Sequence, residues 1–196
     1  MSRKKILILD GHPAPASLSA GLAGAYLKGA SQTQADIRLV RLSELQFDMD
    51  FGSGGYTHHK PLEPELQQFL ESLEWCDHFV IAAPMWWGGL PAKLKGLFDR
   101  TLLPGRTFDT DVKPGKMPKP MLGGRTGRVL LTSDTPGWVL RFIYGNAIIR
   151  QIRSQILGFI GIKPARFTRF SGATHASPDT VQKWLTQARD LGLRQA

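Results

Sequence analysis

Residues 78–100, HFVIAAPMWWGGLPAKLKGLFDR, contain a strand, a turn and a helix in direct succession. His78 to Ala83 is a mostly apolar run, which is typical of a strand buried on both faces of a sheet. Pro84 to Gly89 ends the strand with two tryptophans and two glycines, and Pro91 stands where a proline can open a helix. That helix is predicted to bury Leu94, Leu97, Phe98 and Leu102.

The same alternation of strand and helix runs through the chain. The other predicted strands are Lys5–Leu9, Ile37–Leu42, Arg128–Thr132 and Arg166–Phe170. The other predicted helices begin at Ser17, after Pro64, beyond Pro136 with a break at Gly145-Asn146, and at Ser177, where the last helix is predicted to bury Val181, Trp184, Leu185 and Ala188. Parallel neighbours need crossover connections, so this alternation predicts an α/β fold with a doubly wound parallel sheet. We expect helices on both faces, the strand order 2-1-3-4-5 and a single domain over residues 1–196.

Composition narrows the classes of function. No apolar run in the 196 residues is long enough to span a bilayer, which favours a cytoplasmic protein that is not embedded in a membrane. The single cysteine, Cys76, excludes an internal disulfide and any cysteine-based metal site, and no metal ligands are assigned. The net charge of +9 indicates an anionic partner. Lysines and arginines are scattered through the chain, and neither an RNP-like aromatic motif nor a zinc-finger spacing is present, so nucleic acid is disfavoured as that partner.

In doubly wound sheets, ligands bind beyond the carboxyl ends of the strands. Three polar or glycine-rich turns lie there: Gly11–Ser19, Pro84–Gly89 and Thr132–Gly137. The first turn delivers His12, Ser17 and Ser19 to the start of a helix, where free N–H groups favour a phosphate. The alternative is that these residues only cap the helix and bind no ligand.

The second turn is more specific. Trp86 and Trp87 offer broad aromatic faces, and Gly88 lets the backbone approach a planar ligand closely. The alternative is that the indoles plug the end of the sheet or a subunit interface. The third turn offers the hydroxyl and backbone groups of Thr132, Ser133, Asp134 and Thr135, some of which can equally cap a helix before Pro136.

Two stretches resemble the NAD(P)H:quinone oxidoreductases of the flavodoxin-like fold. One runs from Gly11-His12-Pro13 to Ser17-Leu18-Ser19, and the other from Pro84 to Arg100, continued by Leu102–Gly105. The similarity extends from the first strand to about Gly172. It implies a flavodoxin-like five-stranded sheet, a bound flavin, and a homodimer with the active site at the subunit boundary.

The resemblance also implies a role for each turn. The flavin phosphate is assigned to His12, Ser17, Leu18 and Ser19; the isoalloxazine ring to Pro84, Met85, Trp86, Trp87 and Gly88; and the pyrimidine edge to Thr132 and Ser133, with Asp134 and Thr135 beside them. Family members carry Thr-Thr-Gly-Gly where this chain has Thr132–Pro136, and often a phenylalanine at Gly88. Their assisting tyrosine and histidine have no clear counterparts, and Tyr144 is the catalytic candidate.

The predicted activity is ping-pong hydride transfer from NAD(P)H, through the flavin, to a quinone or another planar acceptor such as an azo or nitro compound. The chain lacks the carboxyl-terminal extension that helps some members bind FAD, so FMN is favoured over FAD. Two alternatives remain: an electron-carrying flavodoxin, which the basic charge disfavours, and an accessory subunit of a membrane transport system, such as a potassium-efflux system, contacting it through Leu103–Thr126.

Overall fold

The structure is a computed structural model that describes residues 3–52, 59–109 and 115–195. Its strands are β1 (Lys5–Asp10), β2 (Asp36–Arg41), β3 (His78–Pro84), β4 (Thr126–Ser133) and β5 (Ala165–Ser171). All four pairings between neighbours are parallel, and the order is β2-β1-β3-β4-β5. The predicted doubly wound sheet and its strand order are therefore confirmed.

Helices occupy the connections between the strands. The α-helices are α1 (Leu18–Ala30), α2 (Pro64–Trp75), α3 (Ala92–Thr101), α4 (Ala147–Arg150), α5 (Gly158–Ile160) and α6 (Pro178–Leu193). Two π-helical segments, Val139–Ile143 and Gln151–Leu157, and a 3₁₀ turn, Ala173–His175, complete them. The predicted break at Gly145-Asn146 is confirmed, since both residues have a φ of +53°. Within the described ranges, none of these helices combines the length and apolar character needed to cross a membrane.

Two apolar cores lie on opposite faces of the sheet. Along β1, Leu7 and Leu9 join the core shared with α2, α3 and the helical stretch 147–160. Ile6 and Ile8 join the core shared with α1 and α6. Because successive side chains of a strand point to opposite faces, a strand covered on both sides is apolar between its ends, as residues 6–9 of β1 and 79–84 of β3 are.

The helices α1 and α6 touch through glycines. A Cβ added to Gly29 would lie 1.9 Å from the carbonyl oxygen of Arg189, and one added to Gly192 would lie 2.1 Å from that of Tyr26. Only glycine permits this approach of two backbones. The pair of helices is thereby fixed against one face of the sheet.

Some predicted details differ from the structure. Ala188 of α6 is buried, but Val181, Trp184 and Leu185 are only half-buried, as is Leu102 at the end of α3. The indole of Trp184 packs with its ring centroid 5.5 Å from that of Phe170 in the edge strand β5, and it remains partly exposed. The glycine-rich stretch Phe51–Tyr56, whose lack of periodicity predicts a long surface loop or lid, lies mostly outside the described residues.

Candidate functional site

The sheet brings the three predicted turns to one edge, because β1, β3 and β4 are neighbours and run in the same direction. The N–H of Gly11 donates to the carbonyl oxygen of Ala82 (2.8 Å), and the N–H of Met85 donates to that of Thr132 (2.8 Å). The His12 ring lies edge-on to the Trp86 ring, with centroids 5.4 Å apart. Backbone and ring contacts therefore join the first turn to the second and the second to the third.

The first turn ends at the amino terminus of α1. Ser17 caps this helix, since its Oγ accepts from the N–H of Ala20 (3.0 Å). Leu18 is the first helical residue and is half-buried. Ser19 is buried, and in the part of the chain that the structure describes its Oγ has no hydrogen-bond partner. An unpaired buried hydroxyl is costly, so this one suits a ligand that can accept its hydrogen bond.

His12 and Asp10 shape the start of the same turn. The N–H of Ala14 donates to Nδ1 of His12 (3.0 Å), and the same nitrogen lies 3.2 Å from the carbonyl oxygen of Ala14. The N–H of His12 donates to Oδ1 of Asp10 (3.2 Å). Burial raises the pKa of Asp10, and that hydrogen bond opposes the rise. Sequence reasoning missed Asp10, which it treated only as the end of a strand.

The second turn is a tight hairpin. Trp86 and Gly89 exchange two backbone hydrogen bonds of 3.0 and 2.9 Å, and φ is positive at both residues between them, +51° at Trp87 and +75° at Gly88. Positive φ at both central positions defines a type I′ turn, which tryptophan adopts only under strain. The Trp87 side chain is fully exposed and that of Trp86 is 44% exposed. The indoles therefore do not plug the end of the sheet within this chain.

The third turn is partly occupied by its own contacts. Thr132 and Ser133 are buried, and the Ser133 hydroxyl donates to the carbonyl oxygen of Thr135 (3.3 Å). The two carboxylate oxygens of Asp134 accept from the N–H and the hydroxyl of Thr174, each at 2.7 Å. These hydrogen bonds, the backbone one foremost, lower the pKa of Asp134. Asp134 thus holds this turn against the loop that follows β5.

A cavity of about 670 Å³ opens beside the tryptophan turn. Gly88 forms one wall, and the helical stretch after Asn146 forms the other, with Ala147, Ile148, Arg150, Gln151, Ser154 and Gln155. A second cavity of about 830 Å³ lies between α3 and Gln151–Ile160 and shares Gln151 and Gln155 with the first. Sequence reasoning did not find these cavity residues. The break at Gly145-Asn146 was the signal, because it sets where the lining helix begins.

Tyr144 stands at the end of the π-helical segment Val139–Ile143. Its N–H donates to the carbonyl oxygen of Val139 (3.0 Å), and its side chain is mostly exposed. Among the described residues, no hydrogen bond or ring contact joins the Tyr144 side chain to the three turns. Its catalytic role stays a prediction, as do the ligand-binding roles of the turn residues.

Comparison with known proteins identifies the family. The sequence profile of a family described as having a flavodoxin-like fold matches residues 4–191. The chain belongs to this flavodoxin-like family. The match covers all five strands and nearly all of α6, so the family assignment and the observed sheet order agree.

This flavodoxin-like protein has relatives with named activities. It is 32% identical over 133 residues to the FMN-dependent NADH:quinone oxidoreductase 1 of Xanthomonas euvesicatoria, a match that spans 66% of this chain and 61% of that relative. Among solved structures, Smu.1420 from Streptococcus mutans superposes with a TM-score of 0.82 at 25% identity, over 97% of this chain and 99% of that one. An FMN-dependent NADH-azoreductase from Bacillus anthracis, solved in complex with FMN, shares the fold, with a TM-score of 0.75 at 18% identity over 98% and 99% of the two chains.

Proposed function

We propose that this flavodoxin-like protein is an FMN-dependent NAD(P)H reductase of quinones and similar planar acceptors. The observation that carries the proposal is the meeting of two features at one edge of the sheet. One is the buried, unpaired hydroxyl of Ser19 in the first turn of α1, and the other is the exposed pair of indoles, of which Trp86 contacts His12 in the turn that leads to α1. A phosphate and a flat ring on one molecule match these two features.

The first feature fits the phosphate of FMN. The first turn of a helix leaves N–H groups unpaired, and the helix dipole favours an anion there. Ser19 Oγ adds a donor that no described group occupies, and the ring of His12 lies in the same turn. At Gly11, a Cβ would lie 2.8 Å from Cδ2 of Leu94 and 3.2 Å from the carbonyl oxygen of Ala82. Glycine therefore lets the chain turn into this site without displacing Leu94.

The second feature fits the ring. The hairpin exposes the indole of Trp87, and Gly88 lines the cavity of about 670 Å³. Thr132 and Ser133, at the adjoining strand end, are assigned to the polar edge of the ring. Bound FMN supplies the redox chemistry, because it takes a hydride from NAD(P)H and passes it to an acceptor. The residues of the chain position the reactants and offer donors to developing negative charge.

The cavity beside the ring provides room for the two substrates in turn, as a ping-pong reaction requires. Arg150 is the charged side chain in its lining and is placed to attract the phosphates of NAD(P)H. Tyr144 lies three residues before Ala147, which also lines the cavity, and is proposed as the residue that assists transfer. FAD remains the alternative cofactor, and NADH and NADPH are both accommodated by the proposal.

The named relatives support the cofactor and the reaction class. The Xanthomonas relative is an FMN-dependent NADH:quinone oxidoreductase, and the azoreductase of the same fold was solved with FMN. Because the chain spans about three fifths of the first of these relatives, the activity is transferred as a proposal. A homodimer, a cytoplasmic location and one flavin-binding domain over residues 1–196 belong to the same proposal.

FMN binding tests this function. Titration of the apoprotein with FMN, followed by quenching of flavin fluorescence, is expected to give saturable binding. Ser19→Ala removes one donor to a charged phosphate and is expected to weaken binding about tenfold or more. Ser72→Ala, a buried serine on α2, is the matched control and should bind like the wild type. Protein that takes up neither FMN nor FAD would remove the proposed function.

A further inference from the structure

Asp10 is a buried carboxyl group with one unpaired oxygen. It ends β1, and only 1% of its surface is exposed. Its Oδ1 accepts from the N–H of His12 (3.2 Å), whereas its Oδ2 has no hydrogen-bond partner among residues 3–52, 59–109 and 115–195. A buried oxygen without a partner is costly, more so when it carries charge. The function proposed above uses His12 and Ser19 but gives Asp10 no role.

Asp10 and Ser19 lie at the same end of one layer of the fold. In β1, Asp10 follows Ile6 and Ile8 at intervals of two, so its side chain is on the face that packs against α1 and α6. In α1, Ser19 precedes Leu22 by three positions, so its hydroxyl is on the stripe that packs against the sheet. Both unpaired oxygens therefore belong to the layer between the carboxyl end of β1 and the amino end of α1, where the phosphate is proposed to bind.

The charges around Asp10 do not neutralise it. Arg41 lies beside it on β2, but the Arg41 guanidinium binds Glu44 (3.5 Å), and both of those side chains are exposed. On the other side of β1 its neighbour is Ala82, and the first turn of α1 contains no charged residue. Burial raises the pKa of Asp10, and Glu44 adds to the rise, while the hydrogen bond from His12 and the charges of His12 and Arg41 oppose it.

The protonation state of Asp10 decides whether the site suits an anion. An ionised carboxylate is only an acceptor, and the dipole at the amino end of α1 favours its charge as long as no other anion binds there. A phosphate brings further negative charge to the same helix end and disfavours the ionised carboxylate. The protonated form keeps Oδ1 as the acceptor for His12 and makes Oδ2 a donor. Only the protonated form is therefore complementary to a phosphate.

We propose that Asp10 takes up a proton from the solvent at Oδ2 when the phosphate group of FMN binds in the turn between β1 and α1. Asp10 is then a positioning residue, because it holds the N–H of His12 in both states. Its proton removes the repulsion between the carboxylate and the phosphate. The inference rests on the proposed function, since it concerns the same site, and it makes the affinity for the cofactor depend on pH.

Linkage gives the sign of the pH dependence. Because the pKa of Asp10 is higher with phosphate bound than without, affinity falls as the pH rises through the range between the two values. Each unit of difference between them corresponds to about a tenfold change in affinity. A phosphate monoester itself loses its second proton near about pH 6. Comparison of two protein variants at each pH cancels this contribution of the ligand.

The variant Asp10→Asn imitates the protonated state. Its amide oxygen can accept from His12, and its NH₂ group replaces the O–H at Oδ2. The apoproteins are titrated with FMN between about pH 5 and about pH 8.5, across the range in which a raised aspartate pKa acts. We expect Asp10→Asn to bind FMN about tenfold more tightly than the wild type at the high end, with the difference shrinking as the pH falls. Asp36→Asn, at the other end of the sheet, should follow the wild type throughout.

Proton uptake is measured directly on the wild-type protein. Apoprotein and FMN are mixed without buffer at about pH 7.5, where the phosphate is almost fully ionised, and the acid needed to hold the pH is recorded. The wild type should take up a measurable fraction of one proton per FMN, and Asp10→Asn should take up less. Riboflavin lacks the phosphate and should cause no uptake. Inorganic phosphate should cause the same uptake as FMN, because the proposal concerns the phosphate group alone.

Two results would overturn the proposal while FMN still binds. One is the same pH dependence of FMN affinity for the wild type and Asp10→Asn, or weaker binding by that variant at every pH. The other is equal proton uptake with FMN and riboflavin, a comparison that needs only the wild type and does not depend on how the variant folds. Protein that binds FMN at no pH would instead remove the proposed function, and this inference with it.

Discussion

The imidazole of His12 lies edge-on to the indole of Trp86, with ring centroids 5.4 Å apart and an angle of 84° between the ring planes. The contact joins the turn after β1 to the turn after β3, two segments more than seventy residues apart in sequence. One of these turns leads to the unpaired hydroxyl of Ser19, and the other presents the exposed indoles. The contact of His12 with Trp86 therefore links the proposed phosphate site to the proposed ring site.

The strained backbone at Trp87 allows one substitution to have opposite effects on stability and on FMN binding. Its φ of +51° costs about 1 kcal/mol for a residue with a side chain, so Trp87→Gly should leave the melting temperature unchanged or raise it. The same change removes a broad aromatic face and should weaken FMN binding. Gly88→Ala at φ +75° is the complementary variant and should lower stability by about 1 kcal/mol. A Trp87→Gly protein that binds FMN as the wild type does would show that the indole is not part of the site.

The contact of α1 with α6 leaves no room for a methyl group. Gly192→Ala places a Cβ where the carbonyl oxygen of Tyr26 already lies 2.1 Å away, so the two helices must separate. We expect a loss of about 3 kcal/mol in the free energy of unfolding, measured by urea denaturation. Gly24→Ala on α1, where a Cβ would meet nothing within 4 Å, should be neutral or stabilising. Equal stability of the two variants would contradict the described helix contact.

His78 makes stability depend on pH. Burial, aided by the charges of Lys4, Arg128 and Arg166, lowers the pKa of His78 from 6.5 to about 3. Below pH 6.5 the unfolded chain binds a proton that the folded chain does not, so stability is lost as the pH falls from 6.5 towards 3. The slope from this residue reaches at most about 1.4 kcal/mol per pH unit.

The variant His78→Gln should flatten that slope while its side chain can keep a hydrogen bond to Thr126. His175→Gln, at an exposed histidine, should retain the slope of the wild type. Urea denaturation at a series of pH values gives the comparison. Identical pH profiles for wild type and His78→Gln would contradict a neutral, buried His78.

Two arginines that each pair with a glutamate should differ in their contribution to the stability of the fold. Arg100 is buried and binds Glu63 (2.8 Å) together with the carbonyl oxygens of Pro61 and Asp48. Arg106 pairs with Glu74 (2.6 Å) at the surface. Arg100→Met leaves its partners unsatisfied and should cost about 3 kcal/mol, whereas Arg106→Met should cost about 1 kcal/mol or less. Thermal unfolding of both variants measures the two losses of stability. A larger loss for Arg106→Met than for Arg100→Met would contradict the expectation.

The sheet was predictable because local patterns determine it. A strand such as β1 is covered on both faces and is apolar between its ends, and the connections between such strands show the apolar spacing of helices. Once the strand order is known, the three turns must meet at one edge, because parallel strands end together. The turns that carry His12 and Trp86 were therefore expected at the same edge of the sheet.

Features that depend on distant pairs were not predictable. Asp134 is held by Thr174, forty residues later, and nothing in the local sequence shows that its carboxylate is engaged. His78 reads as an ordinary polar residue at a strand end, yet it is buried between α1 and β4 against Tyr26 and Thr126. The wall of the cavity formed by residues 147–155 depends on how a helix docks, which periodicity alone does not fix.

The reduction and reoxidation of the bound flavin test the central claim most directly. FMN-reconstituted protein is mixed with NADH or NADPH without oxygen, and the flavin absorbance is followed by stopped flow before and after a quinone is added. We expect the yellow colour to bleach with at least one nucleotide and to return with the quinone. A flavin that stays oxidised with both nucleotides would contradict the proposed reductase.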